Sequence, residues 1–399
     1  MKIFLVTLSL ILLSGCVGPL KELKYQVEDS WDSNIMDGDP TALTDVVNQK
    51  KIDLLWTANL GSDSLWASNE ASGNLSPLDV FVYENFLFSI SHDGRIKKID
   101  LSSGKFIWEK TFDFKVTAGI SGDSDYLFFV SSEGDLWCLD HSGKELWKTY
   151  VGGQVAVSPL PYALSVTVKL NYNKFVQLNS LDGSIKWQYQ SSNPPLTINT
   201  QGRMVYGDGV IYSGLPEGKL AAIEAETGAL IWEASASSSK RLTEIDRAND
   251  ITSQPMIDGM IIYAISSNNG KINAIDRKTS QIVWDRPLSS FLGLNLYGND
   301  IIVVHETNSI YSLENEAGKT NWRNIDLQYR NIGRGVIIGD SLVVGDFVGY
   351  LHFIDLKNGK LTNRIRLSDS QIANNIIAIN EHKLIAMDVN GNVYCLEIS

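Results

Sequence analysis

The segment GRIKKIDLSSGKFIW, residues 94–108, decides the fold. It runs from Gly94 through a strand with aliphatic Ile96 and Ile99 to Asp100, then a polar turn holding Gly104, then a strand closing on Trp108. Two short strand-like runs around a Gly-containing polar turn form a hairpin. The pattern returns in GKLAAIEAETGALIW (218–232) and GKINAIDRKTSQIVW (270–284). A copy with a turn one residue shorter, GDLWCLDHSGKELW, ends at Trp147. Two copies begin with Asn and end at Trp187 and Trp322. A seventh, GYLHFIDLKNGKLTN, carries Asn363 where the others carry Trp, and an eighth, GNVYCLEIS, stops at the chain end.

The copies start at residues 94, 134, 173, 218, 270, 308, 349 and 391, a period near 42. Such a period marks a stacked or circular array. Upstream of each hairpin lies another strand-like run, such as YLFFVSSEG (126–134) or IIYAISSNNG (261–270), with one more short apolar segment before it. Four short strands per repeat make a propeller blade. A helical array is disfavoured, because no 3.6-residue period persists and Gly and β-branched residues are dense. The expected fold is therefore all-β, an eight-bladed β-propeller. The eighth repeat lacks its outermost strand, whereas KIDLLW (51–56) is a Trp-terminated strand with no repeat before it. The N-terminal strand is expected to complete the last blade and close the ring, giving a propeller over residues 51–399.

The recurrent acidic residues, Asp100, Asp140, Asp276 and Asp355, open the hairpin turns, where a carboxylate accepts backbone N–H groups. Their repetition in blade after blade assigns them to turns rather than to catalysis or metal binding. The recurrent Trp is expected to dock each blade on the next, burying a large ring. Cys138 and Cys395 are both fifth in their repeats, so they occupy equivalent sites in non-neighbouring blades. A disulfide needs Cα atoms within ~7 Å, so two buried free thiols are expected.

The composition is globular: 44% apolar, 20% charged, 32 Gly but 10 Pro among 399 residues. A net charge of −12 without a basic patch argues against a nucleic-acid partner. The five His residues lie at 92, 141, 305, 352 and 382, none spaced for a metal site. No nucleophile elbow, phosphate-cradling loop or dinucleotide fingerprint is present. No catalytic residue, metal or cofactor is expected.

Lys2 precedes an eleven-residue apolar run, Ile3 to Leu13, too short to span a bilayer that needs ~20 residues. The run reads as a signal peptide over residues 1–15. The junction Leu13-Ser14-Gly15-Cys16 resembles the bacterial lipobox, which implies lipidation of Cys16. Val17, rather than Asp, at the next position then points to the outer membrane. Residues 16–50 are polar and mixed, and read as a lipidated tether with at most a short helical turn.

The repeat closely resembles that of the quinoprotein (PQQ-type) propellers, whose enzymes carry a catalytic acid, a calcium site and often a disulfide of adjacent Cys. This chain has no adjacent Cys, so a binding scaffold is the expected outcome. The lipobox, eight quinoprotein-type blades and TEIDR at 243–247 together resemble the BamB family of outer-membrane assembly lipoproteins. That resemblance implies a non-enzymatic scaffold of the β-barrel assembly machine on the periplasmic face of the outer membrane. It would be a monomer within a hetero-complex, binding the POTRA domains of BamA, with unfolded outer-membrane protein clients as a further class of partner. The alternatives are a periplasmic quinoprotein-like oxidoreductase or a propeller binding another envelope component.

Two spacings, 45 and 52, exceed the rest. Their extra residues follow Trp187 and Trp232, and strand alternation puts both loops on one face of adjacent blades. Enlarged loops on a rigid scaffold are a common way to build a binding site. By resemblance, the partner-binding residues are Leu196 and Ile198 as an apolar pair, Asn199 where an Arg is expected, Asp250 as an acidic contact, and Thr252 where a second acid is expected. Leu196, beside Pro194-Pro195, is expected to be exposed.

Overall fold

The computed structural model describes residues 38–61, 66–68, 75–155, 157–191, 202–235, 250–267, 270–372 and 376–399. Among them lie eight four-stranded antiparallel sheets and one two-stranded ribbon. Blades 1 to 7 span residues 81–111, 121–150, 160–190, 204–235, 256–286, 294–324 and 336–366, each built by four consecutive strands. Blade 8 takes three strands from residues 377–398 and its outermost strand from the N-terminal side, β1 (Ile52–Asn59). β1 runs antiparallel to Asn392–Ile398, with Ile52 opposite Ile398 and Trp56 opposite Cys395. The eight-bladed ring and its closure by an N-terminal strand thus form as the repeat count requires. The only helical element among the described residues is one 3-10 turn, Pro216–Gly218, and no helix there is long and apolar enough to cross a membrane.

The core is divided among the seams. In most blades the two middle strands carry the buried residues: Leu127 to Val130, with Leu136, Cys138 and Leu139, are all 0% exposed. Each of eight apolar clusters joins two neighbouring blades. Phe128 of blade 2 meets Val166 and Val176 of blade 3, and Phe175 of blade 3 meets Ile211 and Ile223 of blade 4. At the closing seam Leu60, Leu87 and Ile99 meet Ile385, Met387 and Val393, with Trp56 against them. No blade has a complete core alone, so the ring is the folding unit.

The recurrent Trp residues dock as expected. Each indole Nε1 donates to the carbonyl following the acidic or amide residue of the next blade's turn. Trp56 reaches Leu101 (2.8 Å), Trp147 reaches Ser180 (2.9 Å), Trp187 reaches Ala225 (3.0 Å) and Trp322 reaches Leu356 (2.9 Å). A β-bulge beside this position in every outer strand pair, next to the Trp in all but blade 7, aims the ring at the neighbouring blade. The turn glycine beneath has two reasons to be Gly. At Gly183 φ is +71°, and a Cβ there would lie 2.4 Å from the Trp147 ring. The acidic turn residues hold their own turns: Asp276 accepts the N–H groups of Lys278 (2.9 Å) and Thr279 (2.7 Å).

Blade 7 explains its missing Trp. The last two strands of blade 8 are not joined by a hairpin turn, because the outermost one is β1, from residues 52–59. An indole N–H at position 363 would find no turn carbonyl. Asn363 instead clasps the segment leading into β1: its Nδ2 donates to the Lys50 carbonyl (2.6 Å) and its Oδ1 accepts the N–H groups of Gln49 and Lys50. Residues 41–50 continue along blade 7. The Gln49 N–H donates to the Thr362 carbonyl (3.2 Å), and Arg330 and Arg364 donate to the carbonyls of Thr41 (3.0 Å) and Thr44 (2.7 Å). No helical turn forms over 38–50.

Those two arginines radiate from a buried cluster. Asp346, 0% exposed, accepts from Arg330 and from His352 Nε2 (3.0 Å), while Arg364 Nε donates to His352 Nδ1 (3.1 Å). Accepting that bond requires a neutral imidazole. Burial holds the His352 pKa below its ordinary value despite the pull of Asp346. Burial pushes Asp346 up, but bonds from His352, the Tyr350 N–H and Arg330 overcome it and keep the carboxyl below the usual range. Below about pH 6.5 the unfolded chain therefore binds the histidine proton before the folded one, so stability present at neutral pH is lost as pH falls. Asp346 extends the loss at lower pH. The melting temperature is expected to fall between pH 7 and 5.5, as stability is lost by at most about 1.4 kcal/mol per pH unit from this proton. Replacement His352→Gln should flatten that slope in pH-dependent calorimetry; an unchanged slope would assign the loss elsewhere.

Cys138 and Cys395 are both free and buried, as their places in blades 2 and 8 require. Burial pushes the Cys138 thiol up to about 12, which leaves it inert.

Candidate functional site

Strand alternation sorts the connections between two faces. Turns between the first and second and between the third and fourth strands of each blade lie on one face. Turns between the second and third strands, and the crossings from one blade to the next, lie on the other. The crossings after blades 3 and 4 are therefore on the same face, on adjacent blades. A third enlarged crossing joins them there: the link from β1 to blade 1 carries a two-stranded ribbon, Trp66–Ser68 with Leu75–Pro77. The repeat spacing could not reveal it, because no repeat precedes it.

Leu196, Ile198 and Asn199, together with TEIDR and Cys16, lie outside the described residues. The roots of both loops are described, and they converge on one point. Gly202 ends the first loop and Asp250-Ile251 ends the second. A Cβ on Gly202 would lie 2.5 Å from the Gly214 carbonyl and 2.8 Å from both the Ile251 carbonyl and Lys169 Nζ. A Cβ on Gly214 would lie 2.2 Å from the Ile251 carbonyl. Glycine at both positions is what lets two crossings and a blade 4 strand pass this closely.

Lys169 sits at the centre of that point, 2% exposed. Its Nζ donates to the carbonyls of Gly214 (2.6 Å) and Gly202 (3.1 Å), and lies 5.8 Å from the centre of the Phe175 ring. Burial pushes its ammonium down to about 7, with Asp250 pulling it back up in part. Asp250 is 1% exposed. Its Oδ1 accepts the N–H of Glu217 (3.0 Å), a residue held at φ +59° in the turn between the second and third strands of blade 4. Its backbone carbonyl accepts from the N–H and hydroxyl of Ser267 (both 3.2 Å) in blade 5. The carboxylate expected to face a partner thus points inward, because the crossing lies flat against Gly214. Thr252, half-buried, follows on the same crossing.

Lys169 was missed by motif reading, yet it left a signal. It ends the second strand of blade 3, where other blades place Ile90, Val130, Ile265, Val304 and Met387. A charge at a repeat position that is otherwise apolar marks a local departure from scaffold duty. Among the described residues no group of three or more His, Cys, Asp or Glu side chains could hold a metal ion.

The sequence profile of the family described as outer membrane protein assembly factor BamB matches residues 92–324. The outer membrane protein assembly factor BamB of Vibrio cholerae is 31% identical, over 86% of this chain and 88% of its own. The crystal structure of BamB from Moraxella catarrhalis superposes with a TM-score of 0.76 at 20% identity, covering 87% of this chain and all of that one. A quinohemoprotein alcohol dehydrogenase from Pseudomonas putida superposes at 0.69 with 10% identity, over 88% of this chain and 76% of its own, which is likeness of fold alone. Eight blades closed by β1, two enlarged crossings rooted on one buried lysine, and these matches converge: the chain belongs to the BamB family of outer membrane protein assembly factors.

Proposed function

We propose that this chain is a non-enzymatic scaffold in the assembly of outer-membrane proteins, and that the face carrying the enlarged crossings binds the POTRA domains of BamA. The observation that carries the reading is the shared root of the two crossings at Lys169, Gly202 and Asp250. Loops anchored at one buried point present their tips as a unit, which is how a rigid scaffold builds a specific surface. On this reading Leu196 and Ile198 supply the apolar anchor and Asn199 the adjoining polar contact. Asp250 and Thr252 support that surface from beneath. Residues 1–15 leave as a signal peptide, Cys16 carries the lipid that holds the protein on the periplasmic side of the outer membrane, and the segment after it leads to the propeller. The assembly-factor name of the relatives supports a role without catalysis.

In-cell photocrosslinking from Leu196 tests this, with Lys278 as control. Lys278 is exposed in a turn between the third and fourth strands of blade 5, on the opposite face. A BamA adduct from Leu196 and none from Lys278 is the expected result. No adduct from Leu196, or the same adduct from both, would end the assignment of this face.

A further inference from the structure

Three charged side chains stand at the mouth of the ring, Arg203 directly after the Gly202 root and Asp79 and Arg334 on other crossings. Asp79, Arg203 and Arg334 stand one or two residues ahead of the innermost strands of blades 1, 4 and 7. Each lies on a crossing, so all three are on the face with the enlarged loops, but beside the axis. Arg203 grips Asp79 with a fork: Nη1 to Oδ2 and Nη2 to Oδ1, both 2.7 Å. The Ser158 hydroxyl, ahead of blade 3, adds a bond to Oδ2 (2.6 Å). This links blade 1 to blade 4 across the opening.

Arg334 is left over. Its backbone carbonyl accepts from Asn295 Nδ2 (3.3 Å), and its stem passes 3.7 Å from where a Cβ on Gly293 would be. Among the described residues its guanidinium makes no hydrogen bond or ion pair. Burial and then repulsion from Arg203 hold its pKa below the ordinary arginine value, and attraction to Asp79 offsets only part of this. A guanidinium brings five N–H donors in a planar fork. Arg334 is half-buried and its donors are not taken by the described residues, and a planar oxyanion is the group whose geometry matches them. Two arginines against one aspartate leave this spot locally positive in a chain of net charge −12.

We infer that the axial mouth is a binding site for a small oxyanion, a carboxylate or a phosphate, held by Arg334 together with the donors of Arg203 that Asp79 leaves unspent. Arg203 follows the Gly202 root and Asp79 follows the ribbon, but the site uses no residue from the tips of those loops, so Arg334→Met tests it apart from the BamA reading.

Isothermal titration of the full mature chain with oxalate and with inorganic phosphate tests it. Binding of one of them at one site per chain is expected; oxalate alone marks a carboxylate ligand, phosphate alone a phosphate. Arg334→Met should weaken that binding at least tenfold with the melting temperature kept. Asp79→Asn should tighten it, because removing the resident carboxylate frees the Arg203 fork and ends its repulsion. A fold defect would not tighten binding. Arg366→Met, on the outer strand of blade 7, should change nothing. If neither anion binds the unmodified chain, or Arg334→Met binds as well as it does, the site does not exist.

Discussion

Deleting residues 51–60 is expected to abolish the cooperative melt of the ring. The deletion removes the outermost strand of blade 8, the Trp56 bond to Leu101, and Leu60, which is 1% exposed at the closing seam. Truncating a fully buried Trp to Ala costs roughly 3–5 kcal/mol, and half-buried Trp56 should cost less than that. Losing a whole strand as well exceeds much of the ~5–15 kcal/mol that holds a typical domain. Every blade draws its core from its neighbours, so an open seam exposes apolar surface on blades 1 and 8 together. Deleting residues 1–49 instead leaves β1 in place and should preserve the transition. Trp56→Ala should fall between the two. Calorimetry that finds the 51–60 deletion melting like the full chain would show that the ring does not depend on this closure.

Replacing Asp250 by Ala is expected to damage both stability and partner binding. The carboxylate is buried, takes the Glu217 N–H, and offsets the charge of Lys169. The loss is that of a buried hydrogen bond to a charged group, about 1.5–3 kcal/mol, since Lys169, with a pKa pushed down to about 7, can shed its proton when Asp250 is gone. Both loop roots would loosen, since Asp250 is itself the root of the second loop and its charge supports Lys169, which holds the Gly202 carbonyl at the root of the first. Asp250→Asn keeps an oxygen for the Glu217 N–H but loses the charge, and should cost less. Thermal melts read beside POTRA-domain affinity separate the alternatives. A surface contact would lose affinity with stability unchanged, and that outcome would sink the supporting role assigned to Asp250.

The two predictions draw on different depths of the sequence. The blade count, the closure and the docking Trp positions were legible because each is repeated. Seven copies of one hairpin reveal its period, and the eighth copy, lacking its last strand, points to KIDLLW as the missing piece. Side chains in a strand alternate between faces and turns need particular residues, so these local rules fix the blade without knowledge of its neighbours. Asn363 was legible as an exception but not as a clasp. Its partner, the Lys50 backbone, is 313 residues away and belongs to no repeat.

The functional face was readable only in outline. Two long spacings located the crossings, and alternation placed them together. The sequence by itself determined an all-β ring of eight blades, its closing strand and the side on which its longest repeat-to-repeat loops stand. Tertiary structure alone decided that Asp250 turns inward, that Lys169 lies beneath both crossings, that a ribbon adds a third insertion to that face, and that Arg203 spans the mouth to Asp79 while Arg334 stays unspent. The reason is physical. Repeats specify contacts that recur at fixed separations along the chain. A charge in a ring is set by what the turning of the chain brings beside it, from the next blade at Lys169 and from three blades away at Arg203, and no local pattern encodes those partners.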